Sequence, residues 1–310
     1  MRKGERRLIL SFLAPAIILY VIIFAYPIIR TVIMSFFYIP MVVSPTAVWE
    51  PVGFENFTQL FSSLYFRMGL RNIFIIWLFG GVFILCIAMY FAIILQLGAR
   101  FKSFWRAAIY LPQVIPAVAM AYIWLQYIYA QRYGLLVNLF NYLQMHKMAE
   151  FPFTSPENIF YSMVFAYAFC SIGYYMIVML AGLDSIPKDY YEVAKIEGAN
   201  AWQTFWKVSL PLLKPVLRNC FIIYSTAAIN FFVWVEMFSG PNNTNFMLAT
   251  PVSYMYIMLF GQNLVVVDPR QVNAGVAAAV GIVVTTLVVI VYMVINTLVR
   301  EEKASDRIEY

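Results

Sequence analysis

The chain alternates between long apolar stretches and shorter polar segments. Six of the apolar stretches are predicted to form membrane-spanning helices, at about 8–29, 70–97, 107–129, 159–183, 216–238 and 272–299. A helix needs roughly 20 consecutive apolar residues to cross the hydrocarbon core of a bilayer, and each stretch reaches that length. The segment Val252–Phe260 is apolar but too short to span, so we expect it to lie at the interface or to re-enter the membrane. The pattern predicts a single transmembrane domain over 1–310.

The most polar segment between two of these stretches is Leu183–Pro215, which we call the polar island. Ser185 is placed to cap a first short helix, and Pro187 suits the first turn of that helix. Gly198 is expected to end the helix or bend it. Helical spacing puts one set of residues on a common face: Ile186, Tyr190, Val193, Ala194 and Glu197.

A second short helix is predicted in the same polar island. Asn200, followed three residues later by Gln203, reads as a variant of the capping box that begins many helices. Helical spacing gives this helix an apolar face of its own: Trp202, Phe205, Trp206 and Ser209. Pro211 and Pro215 are expected to stop it, because proline lacks the backbone N–H that a helix needs.

The composition also indicates a membrane protein. Of the 310 residues, 63% are hydrophobic and 12% are charged, whereas soluble domains average about 25% charged residues. With six spans, fifteen of the 21 Lys and Arg lie on the side of the termini and the polar island, and six lie on the other side. The positive-inside rule therefore assigns both termini and the polar island to the cytoplasm. The first apolar stretch has no small-x-small cleavage site, so it is predicted to be an uncleaved anchor.

Candidate catalytic and metal-binding chemistry is sparse. Cys86, Cys170 and Cys220 lie in apolar stretches without metal-ligand spacing, and His146, the one histidine, lies in a polar loop. We therefore predict neither a metal site nor a catalytic site. The sequence has no Gly-x-x-x-x-Gly-Lys phosphate loop, so any nucleotide hydrolysis would take place on another subunit.

A spaced motif runs through the polar island. It reads Glu192-Val193-Ala194, then Gly198, then Val208-Ser209-Leu210-Pro211. The motif resembles the EAA loop of the membrane subunits of ATP-binding-cassette (ABC) importers: Glu-Ala-Ala, three residues, Gly, nine residues, Ile-x-Leu-Pro. All spacings match, and the two departures, both to Val, are mild.

Further pieces resemble the sugar-type branch of this family, which is related to maltose importers. In chain order they are Phe12-Leu13-Ala14-Pro15, Tyr26-Pro27, Ser35-Phe36, Gly53-Phe54-Glu55-Asn56-Phe57, Arg106 with Leu111-Pro112, Gly134-Leu135-Leu136 with Asn138, and Gly275-x-Ala277-Ala278. Each piece alone is weak, but their order covers nearly the full length. The family's Gly-Gly-Pro after the fifth span is reduced here to Gly240-Pro241.

The resemblance implies an all-α integral membrane protein with six transmembrane helices, the type I ABC importer permease fold, and a cytoplasmic coupling helix in a loop at 184–215. It implies assembly in the bacterial inner membrane with a second permease subunit, two ATPase subunits and an extracytoplasmic solute-binding protein. ATP and Mg would bind to the ATPase subunits, so this chain is expected to hold no cofactor and to bind no nucleic acid. By the same resemblance the residues that couple to an ATPase are Tyr190, Glu192, Val193, Ala194, Gly198, Ala199 and Pro211.

Every Lys and Arg is assigned to one side of the membrane or the other, with Arg71 and Arg218 at the ends of their spans, which argues against an anionic solute. Their aromatic and amide side chains suit sugar rings and hydroxyl groups. Positions carried over from the maltose-type relatives give these substrate candidates: Tyr167, Cys170, Ser171, Tyr174, Ile229, Asn230 and Val233. Tyr174 and Asn230 keep the residue type of those relatives, whereas Tyr167 and Ser171 differ from it, so the particular sugar stays open.

Alternatives remain at this level. Within the family, the solute could be a glycerol-phosphate ester or another small molecule. An ion-coupled secondary transporter would usually show an internal repeat and intramembrane acidic residues, and here only Glu236 falls within a predicted span, near its outer end. A membrane enzyme such as a glycosyltransferase would need a convergent set of acidic residues, histidines or metal ligands, and only isolated ones occur.

Overall fold

The computed structural model of the chain describes residues 3–240, 245–260 and 272–299, with side chains from residue 11. This part of the chain is mainly helical. In chain order the α-helices are α1 (Lys3–Tyr20), α2 (Tyr26–Met34), α3 (Glu55–Ser62), α4 (Leu64–Ile75), α5 (Gly81–Gln96), α6 (Lys102–Val114), α7 (Ala117–Ile123), α8 (Leu135–Tyr142), α9 (His146–Ala149), α10 (Ile159–Asp184), α11 (Lys188–Ile196), α12 (Ala201–Thr204), α13 (Leu210–Ile229), α14 (Val233–Ser239), α15 (Pro251–Phe260) and α16 (Ala274–Leu298). Two short strands, β1 (Phe37–Tyr38) and β2 (Glu50–Pro51), pair antiparallel, with Phe37 opposite Pro51.

Several of the long helices contain a π turn, a single wider turn with i→i+5 hydrogen bonding. Within the described residues these turns cover Val21–Ala25, Ile76–Gly80, Trp124–Ile128 and Phe205–Ser209. The first, second and fourth join α1 to α2, α4 to α5, and α12 to α13. Helices on either side of these three turns therefore continue one another.

Five helical stretches of the described chain are long and apolar enough to cross a membrane: Ser11–Met34, Leu64–Gln96, Ile159–Asp184, Ala201–Ser239 and Ala274–Leu298. A sixth crossing is present if α6 and the stretch from α7 to Ile128 count as one broken span. This architecture confirms the predicted all-α membrane fold. The short apolar segment predicted not to span is helical as α15.

Two compact units divide the chain, one drawn from Met1–Arg67 and Tyr254–Thr285, the other from Met68–Ser253 and Thr286–Tyr310. In the first unit, a pair of buried asparagines joins the segment after α2 to the start of α16. The Asn56 side-chain amide donates to the carbonyls of Ser35 (2.8 Å) and Phe37 (2.9 Å). The Asn273 amide in turn donates to the Asn56 side-chain oxygen (2.9 Å).

This asparagine pair explains two sequence pieces that are far apart in the chain. Asn273 Oδ1 accepts the backbone N–H of Gly275 at 2.8 Å, and a Cβ at Gly275 would collide with the carbonyl of Phe37. Asn56 belongs to the Gly-x-x-Asn-Phe piece, and Gly275 begins the Gly-x-Ala-Ala piece. The two pieces are therefore linked through Asn273 within one packed cluster.

The second unit is built around α10, which packs against α5, α6, α13 and α14. Most of α10 is buried on several sides. A Cβ at Gly173 would lie 2.7 Å from the Cα of Tyr110 in α6, so glycine is what permits this close approach of the two helices. Close packing through small residues is typical of helices in lipid, where hydrophobic burial drives association only weakly.

Two predicted spans differ from their straight form. The stretch predicted at 107–129 is bent by 97° between α6 and α7. Ile115 at the bend is extended (φ −73°, ψ 132°), because the residue before a proline is pushed out of the helical region, and Pro116 follows it. The stretch predicted at 216–238 continues a helix that already begins at Ala201, and it is interrupted between Ile229 and Val233.

Candidate functional site

The polar island folds as two helical segments joined by a tight turn. The first is α11, and the second begins with α12 and runs through a π turn into α13. Ser185 belongs to the end of α10, where its hydroxyl donates to the carbonyl of Gly182 at 2.7 Å. The prediction that Ser185 caps the following helix is therefore wrong. Pro187, in an extended conformation, stands at the N-cap position of α11.

One face of α11 packs onto the rest of the second unit. Ala194 is only 8% exposed. The Tyr191 hydroxyl accepts a hydrogen bond from the Gln96 side-chain amide at 2.9 Å and lies 3.3 Å from the Ser209 hydroxyl. Tyr191 thus joins α11 to the end of α5 and to the π turn before α13.

The other face of α11 is open. Tyr190 is 51% exposed, Val193 57% and Ile196 85%, and Glu192 is also exposed. The face predicted from helical spacing is therefore divided, since Ile186 and Ala194 are buried while Tyr190 and Val193 are not. The exposed residues of α11 therefore combine apolar side chains with charged ones, since Lys188, Asp189 and Lys195 are exposed as well as Glu192.

Gly198 ends α11, as predicted. Its φ of +78° lies in the left-handed region, which favours glycine. The N–H of Gly198 donates to the carbonyl of Lys195 at 3.1 Å, and that of Ala199 donates to the carbonyl of Ala194 at 2.9 Å. This is the bonding pattern of a glycine-terminated helix. No atom lies within 4 Å of a Cβ at Gly198, so glycine is required here by backbone conformation and not by space.

The predicted capping box at the start of α12 is confirmed. The N–H of Gln203 donates to the side chain of Asn200, and the N–H of Asn200 donates to the side chain of Gln203, both at 2.9 Å. The predicted stop at Pro211 and Pro215 is wrong, because the helix continues through both prolines to Ile229. Pro211 directly follows the π turn within this continuous helix, and proline is tolerated there because the π turn already interrupts the regular i→i−4 hydrogen bonding.

Basic residues of α6 approach the end of α10 beside the polar island. Lys102 Nζ lies 3.3 Å from the Asp184 carboxylate, and the Arg106 guanidinium lies 3.9 Å from it. All three side chains are a third or more exposed, so the ion pairs contribute little stability. Next to them, a cavity of about 690 Å³ lies on the inner side of α11 and includes Tyr191 and Ser209 in its lining.

A second cavity, of about 470 Å³, lies in the second unit and is open on one side, since Gln113, Val114 and Pro116 in its lining are exposed. The bend between α6 and α7, one face of α10, and parts of α13 and α14 form its walls. Its lining residues are Pro112, Gln113, Val114, Ile115, Pro116, Ala117, Met120, Tyr167, Cys170, Ser171, Tyr174, Tyr175, Ile223, Ala227 and Trp234. None of these residues is charged. We call this space the bend cavity.

The structure brings four of the seven predicted substrate residues together in the bend cavity: Tyr167, Cys170, Ser171 and Tyr174. These side chains recur along one face of α10. Tyr167 also packs edge-on against Phe231, with ring centroids 4.9 Å apart.

The other three predicted substrate residues do not line the bend cavity. Ile229 is 5% exposed and belongs to the packed core around the end of α13. The Asn230 side-chain amide donates to the carbonyl of Thr226 at 2.9 Å, which satisfies the end of that helix. Val233 is 39% exposed and begins α14. All three residues lie at the break between α13 and α14, next to the cavity, but they do not line it.

Sequence reasoning missed the contribution of the bend itself. Gln113 and the backbone around Pro116 line the cavity, as does Trp234 of α14. The available signal was the pair Pro112 and Pro116 inside an apolar stretch. Two prolines at that spacing interrupt a helix, and non-helical backbone at membrane depth is tolerated where it is buried in protein or lines a cavity.

The fold and the two sites define a multi-pass helical membrane protein with an open helix–glycine–helix loop and a cavity whose lining carries no charge. The chain belongs to the family described as "Binding-protein-dependent transport system inner membrane component", which matches residues 84–302. The family predicted from the polar island is thereby confirmed. It is a family of transport permeases of the inner membrane that depend on a binding protein.

Known relatives agree with this membership. The chain is 26% identical to a diacetylchitobiose uptake system permease protein of Streptomyces coelicolor, over 77% of this chain and 68% of that protein. It is 30% identical to a probable ABC transporter permease protein of Pyrococcus horikoshii, over 80% of this chain and 84% of that protein. Its fold resembles a chain of the crystal structure of a bacterial ABC transporter involved in the import of the acidic polysaccharide alginate, with a TM-score of 0.77, 21% identity and 96% of each chain covered.

Proposed function

We propose that this chain forms half of the translocation pathway of an ATP-driven importer for a neutral sugar or oligosaccharide. A solute-binding protein on the outer side would deliver the solute. The observation that carries the proposal is the bend cavity, whose lining combines aromatic rings, a hydroxyl and an amide without any charged residue. The name of the Streptomyces coelicolor relative, a diacetylchitobiose permease, supports a saccharide.

The chemistry of the bend cavity suits a saccharide in two ways. Tyr167, Tyr174 and Trp234 offer aromatic faces on which the apolar side of a sugar ring can stack. Ser171 and the tyrosine hydroxyls can both donate and accept hydrogen bonds, which matches the hydroxyl groups of a sugar. A cavity of about 470 Å³ falls within the size range of small-molecule sites, so it can enclose part of an oligosaccharide at a time.

An acidic saccharide fits this chain less well. The alginate transporter carries an acidic polysaccharide, but at 21% identity that likeness speaks for the fold alone. An anion held at membrane depth needs a basic partner, and the bend cavity offers neither Lys nor Arg. The neutral class is therefore the better match to the residues present.

Assembly with the other subunits would use the polar island. The open face of α11, with Tyr190, Glu192 and Val193, offers apolar contact and one charge to an ATPase subunit. Gly198 and Ala199 form the turn that sets the direction of α11. Ala194 packs α11 against the rest of the chain, and Pro211 lies at the start of α13, where the polar island ends. We propose a heterodimer with a second permease, two ATPase subunits that bind ATP and Mg, and termini in the cytoplasm. These ATPase subunits, and not this chain, would hydrolyse ATP.

The test is uptake by the complete importer, assembled from this chain and its partner permease, ATPase and binding protein. Radiolabelled neutral saccharides of two to five units are the probes, and oligogalacturonates are the anionic comparison. We expect ATP-dependent uptake of a neutral saccharide, and a loss of about tenfold with Tyr174→Ala, since stacking and a hydroxyl contact both disappear.

The matched control is Tyr161→Ala, because Tyr161 lies on the same helix, is 65% exposed and does not line the bend cavity. This variant should keep wild-type uptake. Uptake restricted to the anionic probes, or uptake driven by an ion gradient without ATP, would contradict the proposed function.

A further inference from the structure

The bend between α6 and α7 places backbone polar groups at the wall of the bend cavity. Pro116 has no N–H, so it cannot donate to the carbonyl of Pro112, four residues earlier, as the next turn of a helix would. The last turn of any helix leaves carbonyls without helical partners, and α6 ends at Val114. Pro112, Val114 and Pro116 all line the bend cavity. Hydrogen-bond acceptors are therefore available at this wall.

The Gln113 side chain adds an amide to the same wall. It lines the bend cavity and is exposed, and within the described part of the chain it makes no hydrogen bond. A side-chain amide carries two donor hydrogens and an acceptor oxygen. Leaving such a group unpaired away from water is unfavourable, so its place in a membrane-crossing segment requires either water or a polar solute in the cavity.

We propose that Gln113 is a specificity-determining residue of the translocation pathway, which hydrogen-bonds hydroxyl groups of the passing sugar. The inference rests on the proposed function and extends it to a residue outside the helices on either side of the polar island. Tyr174 and Ser171 form the α10 wall of the bend cavity, while Gln113 and the freed carbonyls form the wall at the bend. An amide can donate to one hydroxyl group and accept from the next. Gln113 therefore selects a solute with two neighbouring hydroxyl groups, while the aromatic residues of the cavity select its ring.

The first test compares Gln113→Leu with Gln126→Leu in the complete importer. Both changes replace a glutamine by an apolar residue of similar size, and both residues belong to the same broken span. Gln126 is exposed and does not line the bend cavity. For Gln113→Leu we expect uptake of the preferred saccharide to fall about tenfold, because a sugar hydroxyl loses its partner, and we expect Gln126→Leu to behave as wild type.

A specificity readout separates this role from a structural one. The wild type should prefer the saccharide over its monodeoxy analogue, and Gln113→Leu should abolish that preference at the hydroxyl that Gln113 contacts, while retention of the ATPase subunits stays normal. Equal loss of uptake for every analogue, with the preference intact, would assign Gln113 to folding and overturn the proposal. Wild-type uptake in Gln113→Leu would overturn it while leaving the proposed function standing.

The second test does not depend on uptake. In a chain with Cys86, Cys170 and Cys220 each changed to Ser, Gln113→Cys and Gln126→Cys are treated with a charged, water-soluble methanethiosulfonate reagent within the assembled importer. We expect the Gln113→Cys variant to react, and the presence of a bound solute to slow that reaction but not the reaction of Gln126→Cys, because only Gln113 lines the bend cavity. If the wild type imports no neutral saccharide, the proposed function fails, and this reaction alone decides whether Gln113 lines an aqueous path. Resistance of Gln113→Cys would overturn the inference whatever the solute.

Discussion

At the residue scale, Gly198 shows how one backbone angle can control the direction of a helix. Its φ of +78° ends α11 and turns the chain toward Asn200, although no neighbouring atom crowds the position. A side chain there would raise the energy of the left-handed conformation by about 1 kcal/mol or more, without any steric clash. This strain would distort the turn and thereby change the angle at which α11 faces a partner subunit.

We therefore expect Gly198→Ala to lower solute-stimulated ATP hydrolysis of the complete importer, and Gly198→Asn to restore part of it, because asparagine tolerates this region better than alanine. Gly98 supplies a matched control, since its φ is +91° and its Cβ would also meet no atom within 4 Å. Gly98→Ala should cause similar backbone strain outside the polar island. Equal effects of Gly198→Ala and Gly98→Ala on stimulation would contradict a coupling role for Gly198.

Glu192 is an exposed carboxylate in the middle of α11, which makes charge reversal an informative change. Glu192→Lys should reduce the amount of ATPase subunit that co-purifies with the chain, because a lysine would repel a basic group on the ATPase subunit that the glutamate attracts. Glu197→Lys is the control, as Glu197 is exposed at the end of the same helix. Normal ATPase retention and stimulation in Glu192→Lys would remove Glu192 from the docking surface.

At the element scale, hydrogen bonds of Tyr191 connect α11 to two other segments of the chain. The Tyr191 hydroxyl contacts Gln96 at the end of α5 and Ser209 in the π turn that leads into α13. A force on α11 would therefore reach two membrane-crossing helices directly. Movement of packed helices as rigid bodies is a common way to transmit such a change.

Tyr191→Phe should weaken this link while preserving the ring. We expect a loss of about 1 kcal/mol from the hydrogen bonds, seen as a small decrease in thermal stability, together with solute-stimulated ATP hydrolysis that falls more than ATPase binding does. Tyr161→Phe is the matched control and should change neither readout, because Tyr161 is 65% exposed and lies at the other end of α10 from the polar island. A parallel fall in binding and stimulation for Tyr191→Phe would indicate a docking role and contradict transmission.

At the scale of the whole molecule, the chain is one part of a larger assembly. Its family depends on a binding protein, and the sequence has no phosphate loop for ATP. The long first stretch, Ser11–Met34, is apolar and contains no buried residue. Such a helix is left to contact lipid or another subunit.

The purified chain alone should hydrolyse no ATP, and expressed with its partners it should be recovered with a second, different permease. The measurements are phosphate release from the homogeneous chain and the mass of the intact complex. A stable and active complex that holds two copies of this chain and no other permease would contradict the heterodimer. ATP hydrolysis by the chain alone would contradict the proposed division of labour.

The membrane class, the approximate apolar helices, Gly198 as a helix end and the Asn200–Gln203 cap were all readable from the sequence, because hydrophobic runs and capping residues act locally. Tertiary structure decided what the prolines do. Pro211 and Pro215 lie within a continuous helix that follows a π turn, whereas Pro116 marks a 97° bend. Proline removes one backbone donor in either place, and whether the helix continues or bends there depends on the turn geometry and the packing around it, which a short stretch of sequence does not specify. Tertiary structure likewise decided which neighbouring residues are buried, since Ala194 is buried and Val193 is exposed. It also decided that Gln113 lines the cavity, whereas the Asn230 side chain bonds to a carbonyl of its own helix.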